Sequence, residues 1–147
     1  NAYVYVDGVS LPEPNDPTKP PIQGENVFPT NWSDYSKDTG VVILSSSDYN
    51  VSFSVTDSWQ GINTPLSSEL LGKTVVLGCA GISPTEFTLN IQNTDTWEFV
   101  GDRVDNSNLY ATLTIPSTGN FIVTIQSSKG VPSEPCELRD VYLIVKN

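Results

Sequence analysis

The stretch NLYATLTIPSTGNFIVTIQS, residues 108–127, contains two segments in which apolar residues recur at every second position. Alternation over about four to eight residues indicates a β-strand that buries one face. Proline, serine, glycine and asparagine separate the two segments, and these residues favour turns. The stretch therefore predicts two consecutive strands with their apolar faces against a core.

The same pattern continues on both sides of this stretch. Further strands are predicted in VVIL (41–44), NVSFSV (50–55), KTVVLGCAGI (73–82), EFTLNIQN (86–93) and DVYLIV (140–145). The segment TPLSSELLGK (64–73) is the one helix-like piece, and we expect at most a single turn there. Many short strands without a convincing helix predict an all-β protein, a β-sandwich (jelly roll) of antiparallel strands.

Proline content divides the chain. Residues 1–11 read as a short N-terminal strand, which belongs either to this domain or to a neighbouring module. Residues 12–24 form a proline-rich linker, because five of the 11 prolines lie between Pro12 and Pro21 and such density favours extended polyproline geometry. Residues 25–147 form the sandwich. The chain has no initiator methionine, so we expect a module of a larger protein.

Composition excludes several classes of function. The net charge is −10, with 17 acidic and seven basic residues, which disfavours nucleic acid. No apolar stretch approaches the length of a membrane helix, so no membrane insertion is expected. Histidine is absent, which removes the commonest general base and metal ligand. A carboxylate pair is the remaining catalytic option, and most acids lie in turn-like contexts. We therefore predict that the chain is not an enzyme.

The two cysteines leave two alternatives open. Cys79 and Cys136 lie 57 positions apart, one within a predicted strand and one just before the last strand. A disulfide between them would contribute on the order of 4 kcal/mol. Two separate buried thiols are the other interpretation, since free cysteine packs as a small hydrophobic residue.

The polar faces of three predicted strands are uncharged. A face that serves solubility alone would carry more lysine and glutamate. Amides, hydroxyls and aromatic rings together can exchange hydrogen bonds with a hydroxyl-rich ligand. We expect these faces to form a binding surface, although threonine also simply suits exposed strands. Its residues are Thr88, Asn90 and Gln92, then Tyr110, Thr112 and Thr114, then Thr124 and Gln126.

The segment TDSWQGINTPLSSELLGKTVVLG (56–78) is similar to the signature of β-sandwich carbohydrate-binding modules attached to xylanases and glucanases. Related modules occur in bacteriophage tail and baseplate proteins. The shared pattern is W-x-G followed by G-x-T and an apolar strand, here Trp59, Gly61, Gly72 and Thr74. The segments ENVFPTNW (25–32) and ELRDVYLIV (137–145) also resemble the start and the last strand of such a module. The resemblance covers about residues 25–147.

The resemblance implies a saccharide or cell-surface glycan as partner and assigns site residues. Trp59 maps onto a tryptophan that lines the family's groove, Trp97 onto an aromatic that stacks on sugar, and Gln126 onto a polar residue that binds the ligand. An arginine expected after an early tryptophan is missing beside Trp32. The full predicted site adds residues chosen for their chemistry and comprises Trp59, Trp97, Gln126, Gln92, Asn90 and Tyr110.

The resemblance also bears on cofactors and setting. Many members hold a structural calcium, for which Asp140 is the candidate here, but the sequence shows no full ligand set and we expect no required cofactor. The preferred function is recognition of a cell-surface or cell-wall polysaccharide by a phage adhesion module, outside the cell or on the virion. One alternative is a structural spacer in a fibre or surface protein. A glycosidase would require two carboxyl groups about 5–9.5 Å apart in the groove.

Overall fold

The structure is a computed structural model, and it describes residues 19–34, 42–47, 49–56, 59–83, 87–127 and 135–147. The predicted N-terminal strand and most of the linker lie outside these residues, and 19–24 contain no strand. Eleven strands and one 3-10 turn, η1 at Ser68–Leu70, make up the described secondary structure. The strands are β1 Ser33–Asp34, β2 Val42–Ser47, β3 Asn50–Ser54, β4 Gly61–Pro65, β5 Thr74–Gly78, β6 Gly81–Ser83, β7 Phe87–Asn93, β8 Tyr110–Thr114, β9 Phe121–Ser127, β10 Cys136–Arg139 and β11 Tyr142–Val145.

The strands form two facing layers. The first sheet has the order β1-β4-β9-β7, and all its described pairs are antiparallel. The second layer consists of β2-β3-β10-β6 and β11-β5-β8. These two sets keep the same register, because Arg139 pairs with Gly81 and Tyr142 pairs with Gly78, and the pairing is interrupted only at residues 79–80 and 140–141 between them. The second layer is therefore a single bent sheet, and the chain is an antiparallel β-sandwich as its alternation predicts.

The core lies between the layers and uses every second residue of the strands. The rings of Phe53 on β3 and Phe87 on β7 meet edge to face, with centroids 5.5 Å apart. Apolar contacts of this kind supply the main stabilisation of a sandwich. Trp32 is half-buried at the margin of this core, where its ring lies 5.6 Å from that of Phe28.

Asn26 fastens the start of the domain to its last strand. Its side-chain Nδ2 donates to the carbonyl of Val141, and its Oδ1 accepts the main-chain N–H groups of Phe28 and Leu143. Tyr49 donates its hydroxyl to the Asn26 carbonyl. One asparagine therefore satisfies polar groups from three segments of the chain and ties residues 26–28 to the last strand.

The two cysteines are separate buried thiols. Cys79 lies opposite Val141 in the shared register, whereas Cys136 pairs with Phe53 and lies five residues farther along the same ladder. Five residues of strand span about 17 Å, and a disulfide requires Cα atoms within about 7 Å. The structure thus selects the thiol interpretation. Burial raises the pKa of each thiol from 9.0 to about 12.

Candidate functional site

The candidate site is the outer face of the first sheet, the face turned away from the core. The pairing registers place rows of side chains across β4, β9 and β7 on this face. Gly61, Gln126 and Thr88 form one row, Asn63, Thr124 and Asn90 the next, and Pro65, Ile122 and Gln92 the third. Ser33 of β1 extends the middle row, and its hydroxyl donates to Asn63 Oδ1 at 3.2 Å.

The polar side chains of this face are enclosed rather than solvated. Five of them are 7% exposed or less, namely Thr88, Asn90, Gln92, Thr124 and Gln126. The sequence predicted an open, solvent-facing surface, so this is a correction. Alternation identifies the side of a strand that faces away from the core, but it does not tell what the chain lays over that side. At each end of the face, a glutamine side chain is bonded to the main-chain carbonyl of an exposed tryptophan, Gln126 to Trp59 and Gln92 to Trp97.

Trp59 lies at one end of the face and is 53% exposed. Its main-chain N–H donates to the carbonyl of Ser127 at 2.8 Å, and its carbonyl accepts from the side chain of Gln126 at 3.1 Å. Its φ is 64°, a left-handed conformation that a bulky residue seldom adopts. Gly61 of the W-x-G motif lies against β9 so closely that a Cβ there would overlap the carbonyl oxygen of Ile125. The motif therefore needs glycine at this position.

Trp97 lies at the opposite end and is 59% exposed. It sits in the tight connection after β7, where its φ is 63° and its main-chain N–H donates to the carbonyl of Asn93 at 2.8 Å. Its carbonyl accepts from the side chain of Gln92 at 2.9 Å. After this connection the chain returns along β7, and Phe99 pairs with Gln92. Phe99 is 50% exposed and therefore adds a third aromatic ring to the outer face.

Sequence reasoning did not single out Phe99. The segment TDTWEF, in which two aromatic residues alternate with a glutamate, could have indicated that Phe99 lies on the same side as Trp97. It was not read as a strand because it directly follows the predicted strand 86–93. A cavity of about 250 Å³ adjoins this end of the face. Pro65 and Ile122 belong to both the cavity and the face, and Ser68, Thr94 and Asn120 add polar groups to the cavity wall. This end therefore offers apolar and hydroxyl surface beyond the sheet itself.

Tyr110 does not join the site. It lies on β8 and pairs with Gly78 of the second sheet, on the side of that sheet away from the core. It is 48% exposed, but the thickness of the sandwich separates it from the other five predicted residues. The expectation that three strands share one polar face is corrected accordingly, because β8 belongs to a different layer from β7 and β9.

The chemistry of the face is neutral. No residue that the described register places there is aspartate or glutamate, so the carboxylate pair of a glycosidase is not found among these residues. In the described part of the chain, no group of three or more histidine, cysteine, aspartate or glutamate residues is arranged to hold a metal ion. Asp140 is exposed, and its main-chain N–H donates to Asn50 Oδ1. No helix among the described residues is long and apolar enough to cross a membrane.

Comparison with known proteins supports the fold. No family model matches the chain, and no curated protein matches it. Among solved structures it is similar to one described as "CBM4 structure and function", with 17% identity, a TM-score of 0.51, and coverage of 90% of this chain and 99% of the other. The C-terminal family 22 carbohydrate-binding module of Clostridium thermocellum Xyn10B is 18% identical, with a TM-score of 0.49 and coverage of 85% and 97%. A xylan-binding domain of family 22 is 20% identical, with a TM-score of 0.45 and coverage of 78% and 86%.

These structural neighbours are carbohydrate-binding modules, and the first of them confirms the β-sandwich predicted from the sequence. At such identities the likeness establishes the architecture alone.

Proposed function

We propose that this chain binds a neutral polysaccharide along the outer face of the first sheet and does no chemistry on it. The observation that carries the proposal is the position of two exposed tryptophans at opposite ends of an uncharged layer of amides and hydroxyls. A tryptophan ring offers a flat apolar surface that suits the C–H face of a sugar ring. Among the polar side chains of the face, Ser33 and Asn63 are accessible, and their hydroxyl and amide groups can exchange hydrogen bonds with the hydroxyl groups of a sugar.

The dimensions of the face favour a chain over a single sugar. Gln126 pairs with Thr88, and Gln92 lies four residues farther along β7. Four residues of strand span about 13 Å, so a ligand that contacts both tryptophans must contain several linked rings. The similarity to the CBM4 structure agrees with this ligand class. A net charge of −10 further predicts weaker binding of acidic polysaccharides.

The test is isothermal titration calorimetry with soluble xylan, a soluble neutral β-glucan and polygalacturonate as the acidic comparison. Wild type, Trp59→Ala, Trp97→Ala and Tyr110→Ala are compared. Tyr110→Ala is the matched control, because its exposure is close to that of Trp59 but it lies on the other sheet. Measurably weaker binding in each tryptophan variant, together with wild-type affinity in Tyr110→Ala, supports the proposal. Absence of binding in the wild type favours the structural spacer.

The setting of the module is a further proposal supported only by the sequence resemblance. In this proposal the chain is a module of a larger parent protein, lies outside the cell or on a virion tail, and recognises a glycan on the host surface. A fluorescent wild-type protein that labels intact bacterial cells, beside a Trp59→Ala protein that does not, would support this setting.

A further inference from the structure

The two exposed tryptophans are held by the same arrangement of hydrogen bonds. Gln92 donates its side-chain Nε2 to the carbonyl of Trp97, and the residue after Gln92, Asn93, accepts the Trp97 N–H. Gln126 donates to the carbonyl of Trp59, and the residue after Gln126, Ser127, accepts the Trp59 N–H. Both main-chain groups of each tryptophan are therefore satisfied by two consecutive residues at the end of a strand.

The two arrangements also match in conformation. Trp59 and Trp97 have φ values of 64° and 63°. A left-handed backbone costs a residue with a Cβ about 1–2 kcal/mol, so glycine is the expected residue at such positions. A bulky side chain persists there when its surroundings hold it in place, and such strained residues concentrate at ligand sites. Here each tryptophan presents more than half of its surface to solvent.

Their placement follows from the sheet. β7 and β9 are adjacent and antiparallel, so their C-terminal ends lie at opposite ends of the outer face. The link from Gln92 to Trp97 is local, five residues along the chain, whereas Gln126 reaches Trp59 across 67 residues. Different connections of the chain thus lead to one geometry at both ends of the same face.

We propose that Gln92 and Gln126 are positioning residues, each of which fixes one tryptophan in its left-handed conformation so that the ring is presented to the ligand. This inference rests on the proposed function for its ligand and extends it by giving the two glutamines an indirect role. A glutamine that engages a main-chain carbonyl acts on the sugar through the tryptophan that it holds.

The experiment replaces one glutamine at a time by methionine, which has a similar length and no N–H donor. Backbone 15N order parameters of the ligand-free protein are measured at both tryptophans, where about 0.85 is rigid and below about 0.6 is flexible. Gln92→Met is expected to lower the value at Trp97 and leave Trp59 unchanged. Gln126→Met is expected to do the reverse, so each variant contains its own control.

Affinity for soluble xylan is measured on the same variants by calorimetry. Loss of one hydrogen bond predicts about a three- to tenfold weaker binding for each glutamine variant. In a Trp97→Ala background Gln92→Met should cause no additional loss, because the ring that it positions is gone. In a Trp59→Ala background the same substitution should retain its full effect. A residue that supports the fold in general would weaken binding in both backgrounds.

Gln92→Glu is the second variant and keeps the shape of the side chain. Gln92 is 4% exposed, so burial raises the pKa of a carboxyl group placed there. Trp97 is expected to stay ordered while that carboxyl group is protonated and can donate, and to become flexible as the pH rises and the carboxylate, which cannot donate, forms. Unchanged order parameters in the glutamine variants overturn the proposal, whether or not the affinity falls. A fall in affinity with unchanged order would assign the glutamines to direct contact with the glycan. If the wild type binds no glycan, the proposed function fails and the order parameters still decide the role of the glutamines.

Discussion

Thr124 offers a prediction in which two buried threonines change stability in opposite directions. Its side chain is fully buried in the middle row of the outer face, and its hydroxyl has no hydrogen-bond partner in the part of the chain that the structure describes. Thr64 on the neighbouring strand β4 is equally buried, but its hydroxyl accepts the main-chain N–H of Asn31 at 3.0 Å. Valine replaces each hydroxyl by a methyl group of similar size.

The magnitudes follow from this difference. An unpaired buried hydroxyl costs about 1–3 kcal/mol, so Thr124→Val should raise the free energy of unfolding by about 1 kcal/mol or more. Thr64→Val removes the acceptor of the Asn31 N–H, a part-buried hydrogen bond, and should lower the free energy of unfolding by about 1 kcal/mol. For a chain of 147 residues, each kcal/mol corresponds to a change of about 2–4 °C in Tm.

Urea unfolding followed by circular dichroism measures both variants, with the m-value as the check that unfolding remains two-state. Thr124→Val should move the midpoint to higher urea and Thr64→Val to lower urea, at constant m. If Thr124→Val destabilises the protein as much as Thr64→Val does, the Thr124 hydroxyl has a partner. The account of an unsatisfied hydroxyl at Thr124 would then be wrong.

Three further predictions concern the fold. Gly61→Ala should lower the free energy of unfolding by about 3 kcal/mol or more, because its Cβ would overlap the backbone of β9. Gly72→Ala should lower it by only about 1–2 kcal/mol, because the backbone φ of 77° is the sole obstacle there. Thermal unfolding of the two variants measures the difference. Asn26→Ala removes three side-chain hydrogen bonds and should lower the free energy of urea unfolding by about 2–3 kcal/mol. Burial raises the pKa of the Cys79 and Cys136 thiols from 9.0 to about 12, so only the unfolded chain ionises them between those pH values. Their contribution to stability is complete below pH 9 and is lost between pH 9 and 12; a midpoint of urea unfolding that does not fall over this range would contradict it.

Alternation along the chain was sufficient to predict most strands of this fold and the side of each strand that faces the core. In β7 and β9 the apolar residues predicted to face inward, such as Phe87, Leu89 and Ile125, are fully buried. The helix-like segment contains only the short turn η1, as expected for a piece with one capping glycine and one early proline. Local pattern decides these features because burial of one face is a property of the strand itself.

Pairing between distant strands was beyond the reach of the same reasoning. Alternation places Tyr110 and Gln126 outward alike, yet they lie on opposite layers because β8 pairs with β5 and β9 pairs with β4 and β7. The link between Gln126 and Trp59 joins residues 67 positions apart. No pattern in the sequence near either residue indicates such a contact. The aromatic residues could therefore be nominated from the sequence, while their grouping and the role of the glutamines required the structure.

The proposed function requires that the outer face of the first sheet binds a glycan through Trp59. The most direct measurement is a titration of intrinsic tryptophan fluorescence with soluble xylan and with a neutral β-glucan, on wild type and on Trp59→Ala, with circular dichroism to verify the fold. We predict a saccharide-dependent shift in the wild type that is lost or greatly reduced in a folded Trp59→Ala protein. A folded variant that responds to the glycan as the wild type does would contradict the claim.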